Sequence, residues 1–198
     1  MKRIVAVMLM ALLVVGLFGC EEKEKPWEPL KADVVYYADI VIENHGTITV
    51  KLDQSAAPVS AENFVNLARQ GFYDGLTFHR IINGFMMQGG APKSSKDEAK
   101  SIVGEFSANG YENPLKHTRG AIAMARSNDM NSATSQFFIV HQTSPHLDGK
   151  YACFGYVTEG MEIVDTICTS AKPTNGNGAI AKDDQPVITT ITIREENQ

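Results

Sequence analysis

The sequence predicts a mainly β domain of about eight short strands, closed as a barrel or packed as a sandwich, with helices over the open ends. Three observations carry that expectation. Short runs rich in Val, Ile, Thr, Tyr and Phe recur along the chain, bounded by Gly, Asn, Asp and Pro. Only two stretches have the apolar spacing of an amphipathic helix. No repeat or shift of composition divides the chain, so its 198 residues, 43% hydrophobic and 21% charged, are expected to form one globular domain after a leader, acting as a monomer.

The leader comes first. MKRIVAVMLMALLVVGLFGC has two cations, a mostly apolar run from Ile4 to Phe18, then Gly19 and Cys20. That is the layout of a secretory signal peptide over 1–19, and the run is short for a membrane span, which needs about 20 residues. Its ending, LFGC, resembles the lipobox of bacterial lipoproteins, although Phe18 stands where a small or β-branched residue is commoner. The resemblance implies lipid on Cys20 and a location that is exported and membrane-anchored on the extracytoplasmic side. An uncleaved single-span anchor is the alternative. The following EEKEKPWEPLKAD is charged and contains Pro26 and Pro29, so residues 20–34 read as a lipid-anchored flexible tether, with 21–33 ordering nothing.

The domain proper is expected over 35–196. YYADIVIEN (36–44) and GTITVKL (46–52) are β-branched segments meeting at His45 and Gly46, in a hairpin or bulged turn. PVSAENFVNLARQG is the clear helix: Ser60 can cap it, Ala61, Phe64, Leu67 and Ala68 share a face, and Gly71 stops it. Strands are expected at 76–82, 85–88, 121–125, 136–140, 153–158 and 187–194, with a shorter helix at GMEIVDTIC whose Ile163, Val164 and Ile167 lie on one side. PTNGNG near residue 175 reads as a surface loop. Cys153 and Cys168 read as separate core thiols, although an oxidising compartment would permit a bridge.

Charge excludes one class of partner. The formal net charge is -5, and without Lys2 and Arg3 there are 16 basic residues against 23 acidic, or -7. No basic stretch carries interleaved aromatics, so nucleic acid is not expected to bind. His45, His79, His117 and His141 lack metal-ligand spacing, and neither metal nor cofactor is expected.

Four motifs then occur in order: FHRIINGFMMQGG, RGAIAMA, SQFFIV and HLDGKYACFGYV. Together they resemble the cyclophilin family of peptidyl-prolyl cis/trans isomerases, over roughly residues 35–195. The resemblance implies a closed eight-stranded antiparallel barrel capped by two helices, with a groove on its outer face for proline-containing polypeptides. It also implies roles. Arg80 and Gln88 are the catalytic pair, and Gln136, with Gln88, holds substrate and arginine. Phe85, Met86, Phe138 and Leu147 form the proline pocket, Ala125 and Arg126 offer main-chain groups to an extended peptide, and RSNDMNSATS forms the far wall. His146 stands where many members have tryptophan, and Tyr151 where many have histidine, so the rim departs from the family and affinity for the cyclic peptide that inhibits many cyclophilins is in question. Asn83 replaces a frequent proline.

The arginine has a chemical rationale. Rotating an X–Pro amide breaks its resonance, and the twisted nitrogen regains a lone pair that a fixed guanidinium can hydrogen-bond. One geometric demand follows. A strict two-residue hairpin at Asn83 and Gly84 would turn Gln88 away from Arg80, so a wider turn or bulge must intervene if both line one groove. The alternative function is a proline-peptide binding or chaperone module with incidental catalysis. A serine or cysteine hydrolase lacks a nucleophile elbow or a credible Cys–His pair.

Overall fold

The computed structural model describes residues 27–97 and 99–197. Alternation produces the first strand: in β1 (Val34–Ile42) Val34, Tyr36, Ala38, Ile40 and Ile42 are buried and the residues between them half-exposed. It pairs antiparallel with β2 (Gly46–Leu52) through a turn at 43–45 in which Asn44 takes φ 60°. The strand therefore stops at Ile42 rather than at 44, because a left-handed residue leaves the ladder.

Helix α1 (Pro58–Arg69) starts two residues before Ser60. Proline suits a first helical turn, where its missing N–H would have no partner. Ser60 is not the cap. It is buried inside the first turn, and its Oγ donates to Glu105 Oε2 at 2.6 Å. The N–H groups of Val59 and Ser60 donate to the same carboxylate at 2.9 and 2.8 Å. The cap therefore comes from a 1% exposed glutamate distant in sequence, and its charge suits the positive end of the helix. At the other end Gly71 and Phe72 donate to Ala68 and Leu67, a Schellman stop at the expected glycine.

The remaining elements are β3 (Phe78–Ile82), β4 (Met86–Gly89), β5 (Ala121–Met124), β6 (Phe137–Val140), β7 (Cys153–Glu159), α2 (Met161–Ser170) and β8 (Ile188–Asn197). All eight strands form one antiparallel sheet in the order β3-β4-β6-β5-β7-β2-β1-β8. The expected architecture is present, but "closed" overstates it. The edge strands β3 and β8 share no ladder. Single bridges join β3 and its approach to the segment before β8, at Thr77 with Val187 and at Arg80 with Ala179. Pro186 accepts from the Phe78 N–H but has no N–H to return, so the curled sheet is a half-barrel stitched along its open seam.

Two apolar clusters result. The larger fills the inside of the curl under α1 and α2, with Phe64 and Phe137 edge-to-face at 5.2 Å. The smaller contains Met86, Ala123, Phe138, Val140, Leu147 and Cys153. Cys168 belongs to the first cluster and Cys153 to the second, and both thiols are free. Burial pushes them up to about 12 and about 11, so neither is a thiolate at neutral pH.

The tether expectation needs correction where the structure describes it. Trp27 Nε1 donates to Glu62, the Glu28 N–H and carbonyl pair with the Asn66 side chain at 2.8 and 2.9 Å, and the Lys31 N–H donates to Tyr36 Oη. Residues 27–31 are thus tied to α1 and β1, because Asn66 can satisfy a main-chain donor and acceptor at once. The expected signal peptide, Cys20 and the start of the expected tether lie outside the described residues.

Candidate active site

The β3–β4 connection meets the geometric demand. Ile82 pairs with Met86, leaving a three-residue loop of Asn83, Gly84 and Phe85. Phe85 N–H donates to Ile82 O at 3.0 Å, and Gly84 sits at φ 78°, a conformation glycine adopts without strain. The extra residue puts Arg80 opposite Gln88. The register then continues as a row across the sheet: Gln88 opposite Phe138, Phe138 opposite Ala123, Ala123 opposite Cys153. Directly paired residues share a face, so the cation, the amide and the aromatic ring stand side by side outside the curl.

Arg80 is held at two edges of its guanidinium. Nε donates to Asn177 O at 2.7 Å, and Nη1 to Gln88 Oε1 at 3.3 Å. Gln88 Nε2 in turn donates to Gln136 Oε1 at 3.0 Å. Among the described residues Nη2 has no hydrogen-bond partner, and Arg80 lines a concavity of about 200 Å³. Phe85, Met86, Phe138 and Leu147 give that concavity its apolar wall, and Gln88, Ala125, Arg126 and Tyr151 complete it. The site is an apolar pocket beside an immobilised cation. It contains no arrangement of nucleophile and base, and nothing in it demands bond cleavage.

A model of the family described as cyclophilin type peptidyl-prolyl cis-trans isomerase/CLD matches residues 37–195. The chain belongs to the cyclophilin family. Peptidyl-prolyl cis-trans isomerase B of Bacillus subtilis (strain 168) is 43% identical over 122 residues, covering 62% of this chain and 83% of that protein. Isomerase B of Escherichia coli (strain K12) is 36% identical over 162 residues, 77% of this chain and 96% of the relative. A crystal structure of a Cryptosporidium parvum cyclophilin type peptidyl-prolyl cis-trans isomerase, in the presence of the dipeptide Ala-Pro, matches with TM-score 0.69 and 27% identity over 81% of this chain and 99% of that one. This cyclophilin is a peptidyl-prolyl cis/trans isomerase.

Its rim differs from the groove floor in how it is held. The exposed His146 ring lies 5.4 Å from Phe85, tilted by 33°. Tyr151 meets Phe138 edge-on at 5.8 Å and takes the Arg126 guanidinium on its face at 4.8 Å. Phe106 takes the same guanidinium at 5.1 Å, and Lys150 O accepts from its Nε and Nη2. The Arg126 side chain is therefore a stacked part of the wall. Ala125 is corrected in one respect: its N–H already donates to Gln136 O, so only its carbonyl is available to a peptide. Within RSNDMNSATS, the stretch expected as the far wall, residues 127–132 are knitted internally by Ser127, Asp129 and Ser132.

Sequence reasoning missed four supports. Asn177, whose carbonyl fixes Arg80, sits in the loop read only as surface. The alternation of Asn and Gly there signals a tight turn, but not its target. Gly178 sits at φ 83°, and a Cβ on it would lie 2.4 Å from Ile82 Cγ1, so glycine is what lets this loop press against β3. Phe106, Glu105 and His117 reach their places only through long-range folding. His117 is stacked on Phe138 at 6.0 Å, and its Nδ1 lies 3.0 Å from Asp148 Oδ1. Burial holds its pKa below the usual imidazole value despite that carboxylate, so it is a neutral backing to the pocket.

Proposed function

We propose that Arg80 accelerates the isomerisation by hydrogen-bonding the prolyl nitrogen once the amide has twisted. The observation that carries this is the guanidinium pinned by Asn177 O and Gln88 Oε1 at the mouth of an apolar pocket. The planar amide nitrogen has no lone pair to offer, whereas the pyramidal one does, so the bond strengthens toward the transition state. The barrier is about 18–20 kcal/mol, and a charged hydrogen bond supplies about 1.5–3 kcal/mol, or roughly ten- to a hundredfold. Removing water from the polar planar amide and selecting the twisted shape in the pocket supply the rest. Gln88, held by Gln136, keeps the arginine from rotating away. Exchange NMR on a proline peptide, comparing the parent with an Arg80 variant, tests this. A binding module would keep its affinity with no acceleration.

We further infer that the enzyme works on exported polypeptides from a lipid anchor on Cys20. Support comes from the sequence order of cationic start, apolar run and LFGC. Cys20 is seven residues before Trp27, a span of at most about 25 Å, so acyl chains on it would hold the domain close to the lipid surface. Two or more chains are needed for firm attachment. Mass spectrometry of the mature N-terminus tests it: an unmodified terminus at any other residue excludes the lipoprotein form.

A further inference from the structure

One buried ring has no part in the mechanism above. His141 follows β6 directly and is 5% exposed. Its main-chain N–H donates to Phe85 O at 2.8 Å, and its Nδ1 lies 2.9 Å from Gly84 N. A backbone N–H can only donate, so Nδ1 is the acceptor and the ring proton is on Nε2. Nε2 faces Asp165 Oδ1 on α2 at 3.1 Å. That carboxylate is itself fixed, because Arg119 donates to both of its oxygens at 2.7 Å and also to His141 O at 2.9 Å.

These bonds run without a break from α2, through the imidazole, to the loop whose last residue lines the pocket. Main-chain N–H groups of His141 and Gln142 hold Phe85 O at 2.8 and 3.4 Å, so the imidazole's own hold is on the Gly84 side of the loop. Asn83 and Gly84 are exposed, and open space surrounds the Gly84 Cβ position. The Phe85-to-Ile82 bond closes the turn and the main-chain bonds to Phe85 O tie its end to β6, which leaves the Gly84 peptide to the imidazole.

We infer that His141 is a positioning residue for proline recognition: its Nε2–H tautomer, oriented by Asp165, holds the Gly84–Phe85 turn and so sets the Phe85 ring at the pocket edge. The inference rests on the reading that this pocket takes the proline ring. Its effect falls on substrate binding. Arg80 is held by Asn177 and Gln88, neither of which His141 touches, so the barrier-lowering group is insulated from it.

The test combines kinetics and spectroscopy on the full chain. His141→Ala is expected to raise KM for a proline peptide about five- to tenfold, the scale of one lost hydrogen bond, with kcat within about twofold. His141→Asn, whose Oδ1 can stand where Nδ1 does, is expected to return KM to within about twofold of the parent. In 15N NMR of the parent at pH 8, His141 should show a protonated Nε2 and a bare Nδ1. An Nδ1–H tautomer overturns the inference even if the alanine variant does not fold, and so does an unchanged KM or a loss confined to kcat. Phe85→Ala is the control: if it leaves KM unchanged the pocket reading itself fails, whereas a raised KM there beside an unaffected His141→Ala removes His141 alone.

Discussion

Arg80 and Gln88 are direct partners across the β3–β4 ladder, and Gln88 Oε1 accepts from Arg80 Nη1 at 3.3 Å. The pairing makes the guanidinium part of the sheet instead of a mobile surface cation. Arg80→Ala should lower kcat/KM at least about tenfold while peptide affinity changes less, since ground-state binding rests on the apolar wall. Arg80→Lys should also be impaired, because an ammonium cannot be held at two edges while presenting a third donor in plane. Equal exchange rates for parent and alanine variant would remove Arg80 from the mechanism.

At the rim, His146 offers a small polar ring to Phe85 at 5.4 Å. His146→Trp adds apolar area and an indole donor, and should tighten binding of the cyclic peptide inhibitor about five- to tenfold with peptide turnover little changed. Calorimetric titration decides it. Tight inhibition of the unaltered enzyme would show that the rim is not the determinant.

Acid should destabilise the fold through two histidines. Burial lowers the pKa of His117, against the pull of Asp148, and lowers that of His79, with Arg80 adding to the effect. The native state then binds fewer protons than the unfolded chain, so stability is full above about pH 6.5 and declines as pH falls through that value. The slope is at most about 1.4 kcal/mol per pH unit for each ring. Urea midpoints at pH 7 and pH 5 should differ accordingly, and His117→Asn should reduce the difference. An unchanged slope in that variant would assign the acid sensitivity elsewhere.

Glu105→Gln should cost about 2–3 kcal/mol, because one carboxylate oxygen becomes an NH2 facing the N–H groups of α1. For a chain of this size that lowers Tm by about 5–10 °C. Scanning calorimetry reads the shift, and kcat at 25 °C should stay near the parent value. A Tm within a degree of the parent would mean that water caps the helix equally well.

Residues 27–31 should contribute stability and not catalysis. Removing everything before Ala32 deletes the Trp27, Glu28 and Lys31 contacts with α1 and β1, all remote from Arg80. The shortened protein is expected to isomerise at the parent rate but unfold at a lower urea concentration. A midpoint equal to the parent's would return this stretch to the role of a passive tether.

Much of this was legible in the chain itself. Local patterns determined the elements: alternation in VVYYADIVI, the apolar face from Ala61 to Ala68, and Gly71 as a stop all depend on neighbours a few residues apart. Four motifs were enough for the family. Tertiary structure alone decided how they are held. A carboxylate caps α1 from 45 residues away, a loop carbonyl at Asn177 pins Arg80 from 97 away, and Asp165 orients His141 from 24 away. The sheet's open seam belongs to the same class, since it depends on where Pro186 falls beside β3. The physical reason is range. Helix and strand patterns are written in contacts at spacings of two to four residues, whereas a buried polar group takes whichever partner the completed fold brings within about 3 Å.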